Sequence, residues 1–179
     1  MKKMHVVEMS MCALFAALTA VLSQILFPIG PVPINLALIS VYMAGALLGA
    51  KYGTVSQVVY VLMGAIGLPV FASFSGGPGV IAGKSGGFII GYVVCAFLVG
   101  FAADRWGRSP KVLIPAMAAG TLLTYFLGII WFMVVTNIPL VESLGYCVFP
   151  FLPGDAVKIA ISATLAGLLH PALQKIKTR

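Results

Sequence analysis

No charged side chain occurs between Glu8 and Lys51, between Lys51 and Lys84, or between Lys111 and Glu142. Uncharged apolar runs of about 20 residues read as transmembrane helices. Only 8% of the 179 residues are charged and 61% are hydrophobic, whereas soluble domains carry about 25% charged residues. The fold class is therefore an all-α integral membrane protein, with residues 1–179 forming a single six-helix membrane domain. The net charge of +7 does not indicate nucleic acid, because the basic residues lie in short loops and termini rather than on a patch or stripe. Cys12, Cys95 and Cys147 have no paired spacing, so neither a disulfide framework nor a zinc site follows. No metal, cofactor or catalytic group is expected.

Helix 1 is expected over Met9–Phe27. A signal peptide is the alternative, but the run is long for one and lacks a convincing small-residue cleavage site. Ala13, Ala16, Ala17 and Ala20 form overlapping small-xxx-small pairs, which let another helix approach closely. The three prolines of Pro28–Pro33 exclude helix interior. Helix 2 is expected over Ile34–Ala50, with Gly45 and Gly49 spaced for packing, followed by a tight turn at Lys51-Tyr52-Gly53. Helix 3, Thr54–Leu68, places the amide of Gln57 at membrane depth, where it bonds a neighbouring helix or lines a cavity. Helix 4 is expected over Phe88–Ala103, with Gly83, Gly87 and Gly91 as a small-residue stripe. A basic turn over Asp104–Lys111 with an interfacial Trp106 leads to helix 5, Val112–Val135. Thr136–Gly145 is expected as a loop, and helix 6 follows from Pro153, in a stretch that is apolar or small to Leu169.

Two stretches do not fit a plain span. Pro69–Gly87 has six glycines, two prolines and one cation, Lys84. It is too apolar for a solvent loop and too glycine-rich for a helix. Irregular backbone at membrane depth is tolerated where it is buried in protein or lines a cavity. The bland alternative is a re-entrant loop with Lys84 snorkelling to the surface. The second stretch, FPFLPGDAVK (Phe149–Lys158), puts Asp155 and Lys158 on one helix face. Pro153 suits the first helical turn, where the dipole also favours the Asp155 anion. Charges at membrane depth are expensive and mark function by default. A structural cap with an internal salt bridge is the competing reading.

Six spans place both termini on one side. That side would hold Lys2, Lys3, Lys51, Arg105, Arg108, Lys111, Lys175, Lys177 and Arg179, leaving only Lys84 and Lys158 for the other. The bias makes both termini cytoplasmic in a multi-pass protein of the plasma membrane. The unusual chemistry then converges on the external half, as a small-molecule pocket opening outward. Lys84 suits a carboxylate, Asp155 accepts from N–H groups, and Lys158 donates to a carbonyl. Phe71, Phe74, Phe149 and Phe151 offer apolar walls.

GLPVFASFSGGPGVIAGKSGGFIIGY, followed much later by FPFLPGDAVK, closely resembles the BioY family over essentially the whole chain. These are biotin-specific substrate-binding (S) components of energy-coupling factor (ECF) vitamin transporters. The resemblance implies the S-component fold, capture of biotin from outside, and transport with a transmembrane coupling subunit and two ATPases in the lipid bilayer. It implies that Asp155 and Lys158 bind the ureido head. Lys84 would then meet the carboxylate, Ser73 and Gln57 would add polar contacts, and Phe74 would form part of the wall. Ala13 and Ala17 resemble the surface by which S components dock on the coupling subunit. Where many members carry Pro-Thr, this chain has Lys84-Ser85.

Two other classes compete. An intramembrane enzyme could use Ser75 before Gly76-Gly77, but His5 and His170 lie toward the cytoplasmic ends and no base reaches an outer serine. A self-sufficient secondary transporter of a small carboxylate is disfavoured by the lack of a visible repeat. The charge bias generates a direct test. Lys177→Cys is expected to resist an impermeant thiol reagent in intact cells and to react once the membrane is opened.

Overall fold

The computed structural model describes residues 6–27 and 32–177. The expectations for Lys2, Lys3, His5, Arg179 and the prolines at 28 and 31 lie outside that range. Helix α1 (Val6–Gln24) starts earlier than expected and stops short of Phe27. Leu26–Phe27 (β1) instead pairs antiparallel with Ile34–Asn35 (β2), Leu26 opposite Asn35 and Phe27 opposite Ile34. Helix 2 consequently begins at Ala37.

Helix α2 (Ala37–Ala65) is a hairpin folded about one residue, Gly49, with φ 81° and ψ −179°. A side chain rarely adopts that φ, so glycine sets the corner there. The turn expected at residues 51–53 is therefore already helical. Asp104 fixes the corner from outside: its Oδ2 accepts the Ala50 N–H at 2.8 Å, an orphan donor at the start of the second arm. Arg108 bonds Asp104 at 3.1 Å and donates through Nε to the Ala46 carbonyl at 2.7 Å. One ion pair thus staples both ends of the corner.

The arms, 37–48 and 50–65, run back along each other. A methyl group built on Gly53 would stand 2.8 Å from the Ala44 carbonyl oxygen. Thr19 of α1 meets both arms, at Ser40 (2.9 Å) and at Gln57, whose amide donates to it at 3.2 Å. Among the described residues, five helices are long and apolar enough to cross a membrane when α2 is counted as one. Its two arms bring the helical segments to the six expected.

The segment expected to be irregular, 69–87, is a 3-10 turn (Ala72–Phe74) followed by a short helix α3 (Pro78–Ala82). Helix α4 (Gly86–Trp106) and helix α5 (Pro110–Thr136) follow. The loop expected over 136–145 is largely a helix, α6 (Leu140–Cys147), which begins after Pro139. Leu140, Leu144 and Cys147 are spaced for one helical face, and Leu144 and Cys147 pack on the core there. Helix α7 (Leu152–Lys177) starts one residue before the expected Pro153 and runs on through Pro171.

Close approach of backbones holds the centre. A methyl on Gly45 would be 2.6 Å from the Ala96 carbonyl oxygen, and one on Gly100 would be 2.4 Å from the Ala50 nitrogen. The small-residue stripe works on the other side of α4: methyls on Gly87 and Gly91 would strike Trp131 and Thr124 of α5. Without a hydrophobic drive between helices in lipid, such packing supplies association. Gly100→Leu must part α2 from α4. It is expected to destabilise by at least about 1–3 kcal/mol, read as a lower unfolding midpoint of the detergent-purified protein. An unchanged midpoint would show that the contact is not tight.

Candidate functional site

A cavity of about 220 Å³ lies among the 32–38 segment, the second arm of α2, the 71–75 turn, α4, α5 and the start of α7. Its apolar surface is largely aromatic, built from Tyr60, Phe71, Phe88, Tyr92, Tyr125 and Phe151. The rings brace one another: Phe88 stacks on Phe151 at 6.3 Å, while Tyr125 meets Phe151 edge-on at 6.3 Å. Tyr60 meets Phe71 edge-on at 5.5 Å. Such contacts fix ring orientation as well as burying area.

The floor is ionic. Lys158 lines the cavity and donates to Asp155 Oδ1 at 2.6 Å. Tyr125 donates to the other oxygen, Oδ2, at 2.5 Å. Asp155 is 2% exposed and Lys158 5%. Asp155 sits behind the wall and does not line the cavity, so the groups facing it are the ammonium and the phenol that Asp155 holds. An ammonium has three N–H donors, and one is spent on Asp155. The chain folds this way locally because α7 begins at Leu152, putting Asp155 in its first turn.

The other polar groups of the lining are placed by short local bonds. Asn35 Oδ1 accepts from the Ala37 N–H at 3.1 Å and from the Tyr92 hydroxyl at 3.3 Å. Ser75 donates to the Ala72 carbonyl at 2.7 Å. Thr124 bonds Gly120 O (2.9 Å) and Gly91 O (3.2 Å). Asn35, Ser85, Tyr92, Thr124 and Tyr125 were not singled out from sequence. The signal available was that which drew attention to Gln57, a polar group at membrane depth.

The remaining expected residues are placed as follows. Phe71 and Phe151 are cavity walls, whereas Phe74 (72% exposed) and Phe149 (63%) face outward. Ser73 is exposed on the turn whose neighbours Ala72 and Ser75 line the cavity. Lys84 is exposed and off the wall, one residue before Ser85, which is on it. Among the described residues Lys84 forms no salt bridge, and an unpaired ammonium would be costly to bury. Gln57 is fully buried between α1 and α2, bonded to Thr19 rather than facing the cavity. On α1 the alanines split: Ala13 and Ala17 are exposed and Ala16 is buried, with 1% exposure. Among the described residues, no cluster of three His, Cys, Asp or Glu side chains could hold a metal.

A bundle of membrane-length helices around an amphipathic, ion-floored cavity defines a small-molecule-binding membrane protein. The chain belongs to the BioY family, whose model matches residues 1–175. It is 40% identical over 163 residues to the probable biotin transporter BioY of Pyrococcus horikoshii, covering 91% of this chain and 96% of that protein. The biotin transporter BioY of Thermotoga maritima is 37% identical over 154 residues, 86% of this chain and 89% of that protein. The relatives are named transporters and not enzymes. The fold is that of the S-component for biotin from an ECF-type ABC transporter, solved by crystallography. That structure matches with TM-score 0.87 and 32% identity, over 93% of this chain and 92% of the other.

The buried pair generates a double-mutant test. Removing one partner leaves a charge uncompensated and costs about 3–5 kcal/mol, whereas replacing both is close to neutral. Lys158→Met alone is expected to destabilise the detergent-purified protein strongly. Adding Asp155→Asn to it should restore much of the loss, measured by thermal unfolding. Additive losses would mean that the two residues are not coupled.

Proposed function

We propose that this chain is the biotin-capturing subunit of an ECF-type importer. The observation that carries the reading is the aromatic cavity floored by Lys158 and Tyr125, both held by Asp155 behind them, in a chain of the BioY family. Biotin has an acid, an apolar chain and a ureido ring, matching the cavity's division into an ionic floor and aromatic walls. Lys158 donates to the ureido carbonyl with the N–H groups it has not spent. Asp155 acts on the ureido group from behind the wall, by holding the Lys158 ammonium and the Tyr125 hydroxyl against the cavity. Lys84 meets the carboxylate from the rim beside Ser85.

The ligand enters from outside the cell, with both termini in the cytoplasm. A transmembrane coupling subunit and two ATPases drive transport, and the coupling subunit docks on the exposed Ala13–Ala17 face of α1. Small residues there permit close helix approach. Gln57, Ser73 and Phe74 act less directly, through helix packing and the turn at the rim.

Calorimetry of the detergent-purified chain is the test. Biotin should bind without turnover. Asp155→Asn removes a charge-assisted hydrogen bond worth roughly 1.5–3 kcal/mol, so affinity is expected to fall by about one to two orders of magnitude. If the variant folds normally and binds biotin as tightly as the parent, Asp155 is only a structural cap. Ala17→Trp should keep binding and lose uptake in cells. Uptake surviving that change would move docking off α1.

A further inference from the structure

A second concavity of about 500 Å³ opens on the outer surface at the far end of the α4–α5 hairpin. Between these helices a methyl on Gly91 would press on Thr124, and one on Gly120 on Cys95, so their middle is closed. Toward the connecting turn the packing changes. Ala102 and Ala116 form part of the lining, while Phe101 and Trp106 stand up at its edge, 48% and 65% exposed. Those two rings meet edge-on at 6.1 Å. Pro115 also lines it and has no N–H to offer the Lys111 carbonyl one turn back.

The concavity has one charged residue, Lys111, in an otherwise apolar lining. Nearby Asp104 is already taken by Arg108 and by the Ala50 N–H. Among the described residues Lys111 forms no salt bridge. The flanking surface is apolar and outward-facing, with Phe97, Ile114 and Leu122 exposed, so the opening faces the bilayer. From Lys111 to Ala119 the helix covers about 12 Å, close to the ~15 Å of one leaflet's hydrocarbon. An interfacial cation above a groove of one-leaflet depth, with an aromatic at the same level, complements one kind of molecule.

We propose that the groove seats one acyl chain of an anionic glycerophospholipid, with the phosphate on Lys111. A second copy of the chain is a poorer occupant, since an apolar helix face would leave Lys111 without a counter-charge. A zwitterionic lipid would fill the groove equally well but gain less from the cation, its own ammonium competing for the phosphate. In the orientation proposed above the groove lies in the inner leaflet, whose anionic surface attracts such cations.

Native mass spectrometry of the purified full chain tests this, using phosphatidylglycerol and phosphatidylcholine of identical acyl chains at equal concentration. The parent is expected to retain phosphatidylglycerol about fivefold more than phosphatidylcholine, the preference one interfacial lysine provides. Lys111→Ala should reduce that ratio to about one, while Lys51→Ala, which removes an exposed cation outside the groove, should leave it. Ala116→Phe fills the groove and should abolish retention of both lipids; gel filtration and the unfolding midpoint establish that each variant is folded. Should Ala116→Phe prove misfolded, Ala119→Phe at the deep end replaces it. Equal retention of the two lipids by the parent overturns the proposal, as does a preference that survives Lys111→Ala. Dimers that disappear with the groove-filling variant, without bound lipid, would assign the surface to a second copy of the chain.

Discussion

A lysine ammonium stands inside a helical membrane protein only because Asp155 neutralises it at 2.6 Å. Hydration is the alternative, and hydrocarbon supplies none. The pair in turn dictates its surroundings. Asp155 has a second oxygen to satisfy, and Tyr125 reaches across from α5 to do so. The Tyr125 ring then lies edge-on to Phe151, which stacks on Phe88 of α4. From one ion pair three helices are brought into register, and their rings become the walls of a cavity. A buried pair of this kind contributes little net stability compared with apolar packing. Its value is that it holds a charged donor, with N–H groups to spare, against an aromatic-walled cavity.

Backbone proximity provides the frame for that arrangement. Helix α4 is the central column: glycines let it approach α2 on one side and α5 on the other. The α2 hairpin exists because Gly49 tolerates φ 81° and because Asp104 accepts the Ala50 N–H. Asp104 sits near the C-terminus of α4, so the corner of one helix pair is tied to the end of the next. Arg108 completes the tie at the Ala46 carbonyl. Charged residues that serve as topology signals in the sequence therefore also act as local structural bonds.

Much of this was legible in the residues. The charge-free runs gave the class and the six segments, and the cost of charge at membrane depth singled out Asp155 and Lys158, which the structure buries beside the cavity. Boundaries were less legible where a glycine or a proline could serve several ends. The polar Lys51-Tyr52-Gly53 drew the turn away from Gly49, because what makes the corner is a long-range bond from Asp104. Thr136–Gly145 read as a loop because its apolar face is only one short helix deep and needs tertiary packing to form. Lys84 is expected at the pocket as the one cation of the Gly-rich stretch 69–87. The structure puts the adjacent Ser85 on the wall and leaves the charge exposed. Asn35, Tyr92 and Tyr125 were missed since nothing local distinguishes a cavity-facing tyrosine from a packing one. They are brought together only by the crossing of α4, α5 and the β-hairpin.

Helix α1 joins the outer surface to the cavity wall. Its inner face is fixed by Thr19, in contact with both arms of α2, and by the buried Ala16. Ala13 and Ala17 lie on the exposed side of the same turns. At its C-terminal end, Ser23 donates to the Val70 carbonyl at 2.6 Å. Gln24 donates to the Phe71 carbonyl at 3.0 Å and accepts the Phe74 N–H at 2.8 Å. Those bonds hold a turn in which Ser73 and Phe74 both have positive φ, 59° and 52°. Such a conformation persists in non-glycine residues only where its surroundings hold it. The turn contributes Phe71, Ala72 and Ser75 to the cavity. A rigid shift of α1 along its axis would therefore be felt at the cavity wall through two side chains, without passing through the helices that carry the ion pair.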